Sequence, residues 1–194
     1  MKKFLESLKQ AGRSIHAMNL PNKLTLLRVA LVPLYLVLLW FFDNDKSMQI
    51  WPLLVFTLAS LTDLLDGYIA RSRNLITNFG KFMDPIADKL LVTAAMLVFV
   101  DWHMMPAWVV IVVVAREFIV SALRLVAANN GRVIAAGWSG KVKTASTMVC
   151  ICIMLLGLPQ WVNAVCSAVI LVTTAYSGIE YLVKNKDVLD LSNI

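Results

Sequence analysis

Four carboxylates interrupt otherwise apolar stretches of this chain: Asp63 and Asp66 in SLTDLLDGYIAR, and Asp84 and Asp88 in GKFMDPIADKLL. A charged side chain inside a membrane-spanning segment costs several kcal/mol and is retained for a task. Asp63 and Asp66 stand at i,i+3 and Asp84 and Asp88 at i,i+4, so on helices each pair shares a face. Arg71 and Lys81 mark one membrane boundary. At ~1.5 Å per residue, Asp63 lies about 12 Å and Asp66 about 7 Å inside it, Asp84 about 4–5 Å and Asp88 about 10 Å. Antiparallel neighbours joined by a short loop then set Asp63 opposite Asp88 and Asp66 opposite Asp84. Gly67, Ala70 and Gly80 follow or lead on those faces and leave room for a ligand or a facing backbone. Carboxylates that converge in a poorly hydrated cleft repel one another, so protons or cations must neutralise them. Hard divalent ions such as Mg²⁺ prefer oxygen ligands and bridge phosphates readily. Two competing readings are salt bridges to Arg71, Lys81 and Lys89, and an ion relay in a cation- or proton-coupled transporter. Clustering beside small residues and Arg71 near one surface favours the metal site over both.

A second set of charges is basic. Arg116 lies in VVIVVVAREFIV, and Arg124 follows eight residues on, roughly 80° around the same side and about 12 Å along the axis. Lys141 and Lys143 open the stretch SGKVKT. Fixed cations inside a membrane point to a ligand that brings its own negative charge. Plainer roles are a pairing of Arg116 with Glu117 or an aspartate of the cluster. For Lys143 and Arg132 the plainer role is snorkelling to the surface or meeting lipid headgroups.

The elements that must position these groups are apolar. Hydrophobic residues make up 59% of the 194 and charged ones 15%, unlike a soluble domain. Apolar runs near the ~20 residues that cross a bilayer predict six spans, roughly 24–42, 50–72, 81–100, 106–128, 139–158 and 161–183. A soluble bundle would show polar faces, and AWVVIVVV at 107–114 has none. The net charge of +6 is not a nucleic-acid footprint, because the basic residues gather on one side of the six-span arrangement. The opposite loops carry one basic residue, Lys46, beside Asp43, Asp45 and Asp101. That asymmetry puts both termini in the cytoplasm, and Trp40, Trp51, Trp102, Trp108 and Trp161 form the outer aromatic belt. Cys150, Cys152 and Cys166 read as small buried hydrophobes, and His16 and His103 are solitary. Residues 1–18 space Phe4, Leu8, Ala11, Ile15 and Met18 among lysines and an arginine, the pattern of an amphipathic helix on an anionic membrane surface. A cleaved signal peptide is not expected, since no small-residue cleavage site follows 24–42. The expected fold is all-α and integral to the membrane: an amphipathic helix at 1–18, one six-helix domain over 19–186 and a cytoplasmic tail at 187–194.

Residues 63–88 read D-x2-D-G-x2-A-R-x8-G-x3-D-x3-D without gap or substitution. This resembles the signature of the CDP-alcohol phosphatidyltransferase family. The resemblance implies a six-helix membrane enzyme, usually a homodimer, with a cytoplasm-facing cavity and two divalent metal ions, Mg²⁺ or Mn²⁺. It makes Asp63, Asp66 and Asp84 metal ligands and Asp88 a ligand or the general base. Asp66, Gly67, Ala70, Arg71 and Gly80 would line the CDP-lipid site. NLPNKLTLLRVALVP at 19–33, AREFIVSALRL at 115–125 and SGKVKT at 139–144 are similar to the bacterial branch of that family that makes phosphatidylglycerophosphate. That similarity, running from Asn19 to about Lys186, implies transfer of a phosphatidyl group from CDP-diacylglycerol to sn-glycerol 3-phosphate with release of CMP. It implies the bacterial cytoplasmic (inner) membrane as the setting, among membrane lipids. Arg116, Arg124 and Lys141 would hold the acceptor phosphate, and Asn22, Thr25 and Arg28 would approach the nucleotide or headgroup. Another acceptor, such as inositol phosphate, stays open within the family.

Overall fold

A computed structural model describes the backbone over residues 20–41, 50–72 and 78–189, apart from 130, 133 and 136. Side chains at 20–25, 28, 63–72, 78–85, 87 and 88 lie outside the description. So do the amphipathic helix expected over 1–18 and the tail beyond 189. The described residues form six α-helices, α1 (Leu20–Phe41), α2 (Ile50–Ser72), α3 (Asn78–Asp101), α4 (Ala107–Asn129), α5 (Trp138–Met154) and α6 (Gln160–Lys184), and a 3-10 turn at Lys186–Leu189. The helices fall on the six apolar runs. By length and composition α6 is the one described helix apolar enough to cross a bilayer, while Val29–Phe41 and Ile50–Thr62 are apolar but shorter. Charge sets the others apart: α3 carries Asp84, Asp88 and Lys89, and α4 carries Arg116, Glu117 and Arg124.

Helix ends follow from local chemistry. The apolar run predicts α5 to 158, but the helix stops at Met154. Gly157 takes a left-handed φ of 65°, which glycine adopts at no steric cost, and Pro159 caps the start of α6. Between α3 and α4 the chain turns through His103, whose φ is 56°. Met104 and Met105 there donate their N–H groups to the Phe99 carbonyl at 2.8 and 3.1 Å. Gln160 Nε2 donates to the His103 carbonyl at 3.0 Å, which ties this turn to α6.

The chain divides into two compact units, Met1–Phe41 with Trp51–Val92, and Phe42–Ile50 with Thr93–Ile194. In the first unit α1 buries Val32, Tyr35 and Leu39 at helical spacing, and α2 buries Phe56 and Ala59. The Tyr35 and Phe56 rings meet at 5.9 Å between centroids, inclined at 44°. Thr62 turns its hydroxyl back to the carbonyls of Leu58 and Ala59, at 3.0 and 2.8 Å.

In the second unit α5 packs along α6 and α6 along α4. Helix α6 is arranged inside out. Its buried stripe is polar in large part, Asn163, Ser167, Ile170, Thr174, Ser177 and Tyr181. Its exposed stripe is apolar, with Val165, Val169, Val172, Tyr176, Ile179 and Val183 turned outward. Burying polar groups while exposing valines is unfavourable in water and favourable when the surroundings are hydrocarbon. One end of this unit closes around Val120, Leu123 and Tyr181, against which Ile134, Leu182 and Val188 pack.

Candidate active site

The four aspartates stand on two elements of one unit. Helix α2 is continuous through Asp63, Asp66, Gly67, Ala70 and Arg71, and α3 through Gly80, Asp84 and Asp88. The i,i+3 and i,i+4 spacings are therefore realised on α-helical backbone, each pair on a single face. The side chains of these residues lie outside the description, as do those of Asn22, Thr25 and Arg28. Brought together, these four residues would offer a donor set made wholly of carboxylate oxygen on two helices. That set fits a hard divalent cation, which takes oxygen ligands in preference to nitrogen or sulfur.

The basic residues belong to the second unit, and their side chains are described. Inward positions of α4 run Val109, Val113, Val120, Leu123 and Ala127, and Arg116 falls in step with them. Its stem is accommodated by a glycine: a Cβ on Gly178 of α6 would sit 3.1 Å from Arg116 Cγ. Arg116 Nη1 donates to Glu117 Oε1 at 2.9 Å, and Nη2 donates to Ser177 Oγ at 2.6 Å. Its Nε is buried and has no hydrogen-bond partner among the described residues. An arginine carries five N–H donors in a fixed fork, so this one has donor capacity beyond its two contacts.

Lys143 is the residue whose place the sequence reading left most open, and it does not snorkel. It is only 5% exposed, and its Nζ donates to the same Glu117 Oε1 at 2.8 Å. The reason is helical phase. Lys143, Thr147, Cys150, Ile151 and Met154 form the buried face of α5, and Lys141, two residues earlier, is exposed. The Lys141 ammonium lies 6.0 Å from the centre of the Trp138 ring, a weak cation–π contact. Arg124 is exposed as well, and its Nε donates to the Tyr181 hydroxyl at 3.1 Å while its guanidinium lies 5.5 Å from that ring's centre. The pairing of Arg116 with Glu117 is thus present, and Arg132 pairs with Asp187.

The structure therefore joins Arg116 to Glu117, Lys143 and Ser177, and holds Arg124 and Lys141 on aromatic rings. Ser177, Tyr181, Gly178 and the carboxylate shared by two cations were missed from sequence. Their signal is periodic: Ser177 and Tyr181 continue the stripe that Asn163, Ser167 and Thr174 begin. Among the described residues, one carboxylate stands here between two buried cations. Removing one partner of such a group costs about 3–5 kcal/mol, because a desolvated charge is left uncompensated. An arginine with donors beyond those that Glu117 and Ser177 take up suits a phosphate.

Known proteins bear on both sets of residues. A sequence model of the family described as CDP-alcohol phosphatidyltransferase matches residues 18–176. A Bacillus subtilis protein named CDP-diacylglycerol–glycerol-3-phosphate 3-phosphatidyltransferase is 44% identical over 191 residues, covering 90% of this chain and 99% of the relative. A Salmonella typhimurium protein of the same name is 39% identical over 84% of this chain and 93% of its own. A Mycobacterium tuberculosis protein named probable phosphatidylglycerophosphate synthase is 38% identical, covering 90% of this chain and 84% of its own.

Proposed function

This chain belongs to the CDP-alcohol phosphatidyltransferase family, and we propose that it transfers the phosphatidyl group of CDP-diacylglycerol to sn-glycerol 3-phosphate, forming phosphatidylglycerophosphate and CMP. The observation that carries this reading is the 44% identity, over 90% of the chain, to a relative named for that reaction.

The roles of individual residues follow from chemistry. Asp63, Asp66, Asp84 and Asp88 would hold divalent metal, two ions of Mg²⁺ or Mn²⁺ in this reading. Such ions, when bound, screen the diphosphate and stabilise negative charge on departing CMP. Asp66, Gly67, Ala70, Arg71 and Gly80 take the CDP-lipid, with the glycines and alanine giving close access and the Arg71 fork meeting a phosphate. Asp88 accepts the proton of the acceptor hydroxyl as its oxygen bonds to phosphorus and the bond to CMP breaks. Arg116, Arg124 and Lys141 receive the acceptor's phosphate. The attraction there is charge to charge, and it is screened least at Arg116, whose side chain is 13% exposed.

The setting is the bacterial cytoplasmic membrane, with all six helices as spans of one domain over 19–186, the reaction on the cytoplasmic face and the enzyme a homodimer. The one-sided basic residues support that orientation, and the outward valines of α6 support a lipid surround. The test is CMP release by purified protein from labelled CDP-diacylglycerol against a panel of acceptors. Glycerol 3-phosphate should drive it. If inositol phosphate released CMP and glycerol 3-phosphate did not, the acceptor assignment would fall.

A further inference from the structure

We propose that Glu117 is a positioning residue that sets how tightly the acceptor pocket takes a phosphate, by sharing one carboxylate oxygen between Arg116 of that pocket and the buried Lys143 beside it. Oε1 of Glu117 accepts from Arg116 Nη1 at 2.9 Å and from Lys143 Nζ at 2.8 Å. One atom of α4 thereby holds an arginine of its own helix and a lysine of α5 within a single carboxylate's reach of each other. Side-chain exposures of 13% for Arg116 and 6% for Lys143 leave little water to screen the repulsion between them. Ser177 of α6 fixes the other guanidinium nitrogen at 2.6 Å, so α4 contributes two groups to the cluster and α5 and α6 one each.

This arrangement has a consequence for ligand binding. A phosphate that enters does not meet two bare cations. It shares them with Glu117, whose carboxylate offsets part of their attraction. Affinity for ground-state phosphate is held down while the cations stay aimed, which favours turnover over tight ground-state binding. The inference rests on the reading above only in taking the acceptor to carry a phosphomonoester.

The experiment uses inorganic phosphate as probe on the intact protein in detergent. Glu117→Gln keeps the side chain's shape and removes its charge. Phosphate should then inhibit CMP release with a Ki lower by about tenfold, and kcat should fall, while the KM for CDP-diacylglycerol is unmoved. Lys143→Met/Glu117→Gln restores the net charge and should return the phosphate Ki toward the wild-type value. A Ki that is unchanged or raised in folded Glu117→Gln overturns the proposal, as does a double variant that keeps the single variant's Ki. If Glu117→Gln does not fold, recovery of folding in the double variant supports the charge-sharing role, and continued failure overturns it. Phosphate-induced stabilisation, read as a rise in Tm, follows the same order without any acceptor. It therefore separates failure of this inference from failure of the glycerol 3-phosphate assignment, which the wild-type acceptor panel decides.

Discussion

Arg116 is held by shape as much as by charge. A methyl at Gly178 would come within 3.1 Å of its Cγ, too close unless the arginine stem shifts by a few tenths of an ångström. Gly178→Ala is thus expected to raise the KM for glycerol 3-phosphate by about threefold to tenfold, since small misplacements of a binding group are costly. The KM for CDP-diacylglycerol should stay put; an equal rise in both would trace the effect to general packing. Asp88 stands at the other extreme, where the predicted role is proton transfer. Asp88→Asn should lower CMP release by about 10²–10⁴ with the gel-filtration profile and Tm retained, and undiminished turnover would remove it as the base. At this scale the aspartates stand out in sequence because four carboxylates in apolar runs, paired at i,i+3 and i,i+4, are more than helix-end salt bridges require, while their side chains lie outside the described residues. Lys143 was not legible, because an apolar run does not say which face of α5 packs inward. The face that does holds Lys143, Thr147 and Ile151, and position 141 falls outside it. Partnership between Arg116 and Ser177 joins residues 61 apart, and only packing of α6 on α4 reveals it.

Helix positions were the most legible feature, because apolar runs bounded by prolines and charges leave few other places for a helix to sit. Where expectation and structure part, one residue decides. Gly157 in left-handed conformation ends the rod several residues before the apolar run gives out, since hydropathy does not see backbone dihedrals. Pro33 inside α1 is the reverse case, a residue that removes one helical hydrogen bond without ending the helix. The polar stripe of α6 yields an element-level prediction. Thr174 is wholly buried, and its hydroxyl has no hydrogen-bond partner among the described residues. Thr174→Val preserves the branched shape and removes a desolvated, unsatisfied group, so Tm should hold or rise. A fall in Tm would show that the hydroxyl has a partner, such as a buried water. Ser167 differs, because its hydroxyl is satisfied by the Asn163 carbonyl at 2.8 Å, and the same exchange there should not stabilise.

For the whole molecule, the closing of the chain's last turn onto α4 is controlled by an exposed ion pair and a small apolar cluster. Asn185 Nδ2 donates to the Tyr181 carbonyl at 2.8 Å, Val188 packs beside Tyr181, and Asp187 pairs with Arg132. The Arg132 guanidinium, first by hydrogen bonding, holds the Asp187 carboxyl below its ordinary value of 3.8. Its contribution to stability is accordingly complete above that value and is lost as pH falls from there through the lower folded value. The Tm difference between wild type and Asp187→Asn should therefore be small and constant near neutrality, shrink in high salt and vanish in strong acid. A difference that grows on acidification would contradict the pairing. The two faces of α6 carry one more implication, for biosynthesis. A helix that shows serine, threonine and tyrosine on one side and valine on the other is only half suited to lipid until α4 and α5 cover it. Arg116 is synthesised before Ser177, so a nascent chain stopped after α5 leaves one guanidinium nitrogen without its α6 partner and the inner faces of α4 and α5 uncovered. Such a truncated chain is expected to remain in contact with the insertion machinery, detectable by cross-linking, and to leave it for the bilayer only when α6 emerges.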